Sequence, residues 1–91
     1  MLERKIDEIV NDWYMRGFYG AFPSGFGKGV FHSIDNVRKV GNGNFMFYID
    51  FGSADIDRAL EALEYELEEY GLIPERTYPD SVHDTILLKK I

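Results

Sequence analysis

The clearest rhythm in the chain lies between residues 53 and 70, SADIDRALEALEYELEEY. Ile56, Leu60, Leu63, Leu67 and Tyr70 recur at alternating steps of four and three, which places one narrow apolar stripe on a helix. Ser53 suits the N-cap because its hydroxyl can accept from a first-turn amide, and Asp55 and Asp57 favour the positive end of the helix dipole. Gly71 tolerates the left-handed conformation of a C-terminal cap, Leu72 can fold back on the last turn, and Pro74 blocks resumption. Residues 2–15, LERKIDEIVNDWYM, space Leu2, Ile6, Ile9, Val10 and Trp13 in the same way and predict a first amphipathic helix. Its polar side mixes charges without the basic excess that anionic lipid attracts, so its stripe is expected to face a core.

Over residues 30–40 and 44–51 the chain changes to strand character. GNGN at 41–44 supplies residues tolerant of positive φ and predicts a hairpin turn between them. Phe45, Phe47, Ile49 and Phe51 take the core face of the second strand. Met46, Tyr48 and Asp50 take the other face, which either a homodimer or the glycine-rich loop is expected to cover. Asp35 and Asn36 interrupt the first strand and leave pieces at 30–34 and 37–40. Residues 72–82, LIPERTYPDSV, hold two prolines and read as a loop, and residues 84–91 as a final strand. A strand, a crossover helix and a strand in one sheet favour a parallel, right-handed connection. The expected architecture is therefore a single α+β domain over residues 1–91 in the order α-β-β-α-β. Its three-stranded sheet has the order 2-1-3, the last strand parallel to residues 44–51, with both helices on one face.

Residues 16–29, RGFYGAFPSGFGKG, carry five glycines, which are expected to break the helix, among Phe18, Tyr19, Phe22 and Phe26. A phosphate-binding P-loop fails because Phe22 stands where its first glycine belongs and Gly29 where its Ser or Thr belongs. A dinucleotide fingerprint fails because Gly25, Gly27 and Gly29 bring the third glycine one residue early. An RNA-recognition signature fails because Tyr19 and Gly20 stand in the wrong order. Phe22 and Phe26 then have two readings, as cover for the core or as contact residues for a partner.

Charge sharpens the picture. Residues 53–70 hold seven carboxylates against Arg58 alone, a net of −6 that equals the whole-chain value. The rest of the chain balances nine acids and nine bases, so the acidity belongs to one helix. Asp57, Glu61, Glu64 and Glu68 follow i, i+4, i+7, i+11 and form a ridge on its outward side. A ridge of this sign opposes phosphate, so direct nucleic-acid binding is not expected despite Arg38, Lys39, Lys89 and Lys90. With no cysteine, no secretory leader and no apolar run near the ~18 residues that span a bilayer, the chain is expected to be cytoplasmic and away from membranes.

Catalytic chemistry has little to build on. His32 and His83 fit no metal spacing, and no cofactor is implied. A 2-1-3 sheet could bring the two histidines together, with Asp35 or Asp84 as orienting partner and Ser33 or Ser81 as nucleophile. The function expected is a small acidic protein-binding module, of the kind a phage or mobile element uses as an inhibitor, with a basic, nucleic-acid-handling protein as partner. Its contact residues are Asp57, Glu61, Glu64, Glu68, Phe22 and Phe26. Carboxylates one turn apart rise about 6 Å, comparable with successive phosphates on a strand. The alternative is a small enzyme or ligand-binding domain that uses the 16–29 loop with Arg16, Lys28, His32 and His83.

Overall fold

A computed structural model describes residues 2–18, 31–52, 55–78 and 83–91, apart from the side chains of Phe18 and His83. Helix α1 (Leu2–Phe18) leads to strands β1 (Ser33–Ile34), β2 (Arg38–Val40) and β3 (Asn44–Asp50). Helix α2 (Ile56–Leu67) follows, closed by a 3₁₀ turn over Glu68–Tyr70, then β4 (Leu72–Arg76) and β5 (His83–Lys90). The fold is α+β, with every strand pair antiparallel.

Both helices form where their stripes predict. On α1, Ile6, Val10, Trp13 and Tyr14 are buried and Ile9 half-buried, while Leu2 lies outside the core at 52% exposure. Gly17 does not break α1, which runs through it to Phe18. An interior glycine costs only about 1 kcal/mol, less than a packed helix face returns. On α2, Ile56, Ala59, Leu60, Leu63 and Leu67 are buried. Its cap is Asp55, whose carboxylate accepts from the Arg58 N–H at 3.3 Å; the expected cap, Ser53, lies outside the described residues. Gly71 ends the helix in the left-handed conformation at φ 69°, its N–H donating to the Glu68 carbonyl.

The sheet departs from the expected topology. Its path is β1-β3-β5-β4, with β2 also pairing β3, so the order is not 2-1-3 and the described residues form five strands, not three. Phe45 lies opposite Leu88, Phe47 opposite Ile86 and Ile49 opposite Asp84, so the last strand runs antiparallel to β3. The cause is the segment 72–82, whose first five residues form β4. Because β3 and β4 each run antiparallel to the strand between them, they point the same way. The crossover through α2 thus returns in β4, and β5 inserts between the two.

The hairpin forms at Gly41–Asn44, with Asn42 and Gly43 at φ 65° and 77° and the Asn44 N–H donating to Gly41. Between the pairs Ile34–Ile49 and Arg38–Met46 the outer strand has three residues where β3 has two, a bulge at the expected Asp35–Asn36 break. Asp35 repairs the ladder there: its N–H donates to Tyr48 O and its Oδ1 accepts from Tyr48 N at 2.6 Å.

Phe45, Phe47, Ile49, Ile86 and Leu88 share one buried face of the sheet, and both helices pack on it. Trp13 stands at the centre, fully buried, with its ring 4.9 Å from Phe31 and edge-on to Phe47 at 6.0 Å. Its Nε1–H donates to the Ala59 carbonyl at 2.7 Å, which ties α1 to α2 without leaving a polar atom unsatisfied in the core. On the opposite face Met46, Tyr48, Thr85 and Leu87 are half-buried.

Candidate functional site

At about 100° per residue, Asp57, Glu61, Glu64 and Glu68 fall within one arc of α2, and Tyr65 joins it about 40° from Glu61. That arc flanks the leucine stripe and does not oppose it, so the acids border the seam where α2 meets β4. All four acids are exposed. Glu61, Glu64 and Glu68 line a groove of about 430 Å³ together with Tyr65, Leu72, Ile73 and Ile91. Tyr65 is 80% exposed, Ile91 76% and Ile73 38%, so apolar surface lies open beside three carboxylates. Among the described residues, none of these three carboxylates makes an ion pair or a side-chain hydrogen bond.

The ends of the helix differ. Asp57, at the start of the ridge, stands outside the groove with its Oδ1 3.5 Å from Arg76 Nη1. On the other flank Glu66 receives both its oxygens' contacts from the Arg16 guanidinium of α1, one at 2.7 Å. A second, wider groove of about 710 Å³ opens there between Lys5, Ile9, Tyr65, Glu66, Glu68, Glu69 and Tyr70. Tyr65 and Glu68 line both grooves and form the crest between them. The aromatic standing outside the leucine stripe among acids was the sequence signal for this crest. Nothing local marked Ile73 or Ile91, because only the pairing of β4 with β5 brings them beside α2.

Of the residues of the alternative site, Arg16 is turned to α2 and the two histidines share one end of the sheet. Arg16 is engaged by Glu66 and by Asp12, at 3.5 Å. His32 is 60% exposed with Nδ1 3.6 Å from Asp50 Oδ1, and its ring covers Gly52, where a Cβ would meet Nε2 at 2.6 Å. The backbone register sets Ser33 and His83 on either side of Asp50, so both histidines belong to one end of the sheet. Tyr14 borders that end; burial first and the Asp50 charge second push its phenol above the ordinary range. Among the described side chains the His32 ring meets Asp50, and neither Asp35 nor Asp84. Asp35 serves Tyr48 and Arg38, and Asp84 accepts from Arg76, Thr77 and Tyr78. Phe22, Phe26, Lys28 and Ser81 lie outside the described residues.

Asp84 is the one buried carboxylate among the described residues. It accepts from Thr77 N and Oγ1, from Tyr78 N at 2.8 Å and from Arg76 Nε at 3.1 Å. Burial alone would raise its pKa, but these donors, Thr77 and Tyr78 foremost, together outweigh it and hold the carboxyl below its ordinary range. Arg76 also lies over the Phe51 ring, 5.2 Å from its centre. This cluster ties the end of β4 to the start of β5 and so holds the groove's edge strand in place. Among the described residues no group of three or more His, Asp or Glu could hold a metal ion, and no helix is long and apolar enough to cross a membrane. No protein-family model, curated protein or solved structure matches the chain.

Proposed function

We propose that the protein is a small binding module that presents the acidic face of α2 to a basic surface of another protein. One observation carries this reading: three ridge carboxylates with no partner among the described residues wall a groove that also exposes Tyr65, Ile73 and Ile91. Charge alone would describe a solvated helix. Charge beside open apolar side chains is the composition of a contact surface, with aromatic anchors inside and ionic groups around them.

The proposed partner is a cytoplasmic nucleic-acid-handling protein whose phosphate-binding surface the ridge occupies, which would make the module an inhibitor of the phage or mobile-element kind. Asp57, held beside Arg76, contributes to the field at the edge of that surface. The test is capture from a lysate at low ionic strength, identification of the bound protein, and comparison with a variant carrying Asp57→Gln, Glu61→Gln, Glu64→Gln and Glu68→Gln. The expected result is a nucleic-acid-handling protein that is released by salt and by competing DNA, and that the variant does not hold. A variant that keeps the parent's affinity overturns the reading.

A further inference from the structure

We infer that the groove between α2 and β4 receives a basic amphipathic helix of the partner, an inference that rests on the protein-binding reading above. The acids at i, i+3 and i+7 extend over about 10 Å of the helix axis. An occupant must therefore line up cations at a similar spacing beside an apolar strip that meets Tyr65, Ile73 and Ile91. A helix with Lys or Arg at the same period does this, and the long stems of those residues cover Tyr65 while their heads reach the carboxylates.

The alternative of an extended segment is disfavoured by the strand edge that borders the groove. In an antiparallel ladder every second residue turns its N–H and C=O outward. The Ile91 N–H donates to Gly71 O, which puts Gly71, Ile73 and Glu75 in the set facing β5 and Leu72, Pro74 and Arg76 in the outward set. Pro74 stands in the middle of that set and has no N–H to give, so an added strand would lose the central donor of its ladder. At the other side of the sheet, the N–H of Val37 donates to Asp7 Oδ1 at 3.0 Å and that of Lys39 to Glu3 Oε2 at 2.9 Å. Recognition at the groove thus falls to side chains, and a helix arrives with its own backbone bonds already made.

The test uses the full chain and three fluorescent peptides of about 14 residues, four turns of helix. One is an amphipathic Leu/Lys helix, the second the same residues scrambled to destroy amphipathicity, and the third the amphipathic order with a central proline. Anisotropy titrations at physiological salt are run against the parent, Tyr65→Ser with Ile73→Ser, and Glu61→Gln with Glu64→Gln and Glu68→Gln. The proposal expects the amphipathic peptide to bind about tenfold or more tighter than both controls, to gain helicity on binding, and to lose about tenfold or more in each variant. Melting curves establish that the variants are folded. Equal binding of all three peptides overturns the helix proposal while leaving a charge-driven binding module standing. Binding that ignores the groove substitutions, or no binding at all, also overturns it. The module reading itself fails only if the four-glutamine variant keeps the captured partner.

Discussion

Asp84 shows how much a single residue can decide. Its carboxylate is fully buried, yet every contact it makes is to a donor, and one of them is an arginine that is itself largely shielded. Removing one member of a buried pair leaves the other uncompensated, at a cost of about 3–5 kcal/mol. Against a total stability of roughly 5–15 kcal/mol, Asp84→Ala is expected to lower Tm by more than ~10 °C by calorimetry. The pH dependence follows from the direction of the shift. Because the folded state holds the carboxyl below its ordinary 3.8, its contribution is fully present above that value and is lost as pH falls through the lowered one. The stability difference between the parent and Asp84→Asn should therefore be largest near neutrality and shrink on acidification below pH ~4, measured by urea unfolding at each pH. In the sequence Asp84 reads as a polar residue at the start of a strand and as a candidate orienting partner for a histidine. Its donors are neighbours through the β4–β5 register, which local pattern does not report.

At the level of elements, two acids on the polar side of α1 have a specific task. Asp7 and Glu3 occupy the N–H groups of Val37, just before β2, and of Lys39 within it, and so close an edge that would otherwise template pairing with another chain. Replacing both by alanine forfeits about 1 kcal/mol per hydrogen bond and frees the edge. The expected outcome is a folded protein that self-associates on size exclusion. Glu3→Gln with Asp7→Asn keeps an acceptor oxygen at each site and should elute like the parent; indistinguishable elution of the alanine variant would refute the edge role. Two prolines marked residues 72–82 as loop, but an edge strand with Pro74 turned outward tolerates the missing donor. With 72–76 as a strand the crossover returns in β4 and β5 inserts beside β3, which is why the order differs from 2-1-3.

For the whole molecule, a net charge of −6 set on one helix has consequences for both folding and association. Exposed like charges at i, i+3 and i+4 repel by a few tenths of a kcal/mol each, so the four-glutamine variant should unfold at or slightly above the parent's denaturant midpoint while partner binding falls. A lower midpoint would assign the acids to stability and not to recognition. The sheet face away from the helices supplies a second test. If a second copy covers Met46, Tyr48 and Leu87, sedimentation equilibrium should show a dimer that Tyr48→Lys dissociates, and a strict monomer in both chains removes that interface.

What the sequence by itself determined is the set of features with a local cause. The 3.6-residue stripes made both helices, Asn42–Gly43 made the hairpin turn, Gly71 ended α2, and alternation sent Phe45, Phe47 and Ile49 inward. The acid ridge was legible for the same reason, since helical period alone puts its members on one face. Tertiary structure decided the strand order, the antiparallel return, the Arg76–Asp84 cluster and the apolar half of the groove. Each of these depends on which distant segments pair across the sheet, and pairing is selected by the burial of the whole core and not by any residue's own propensity.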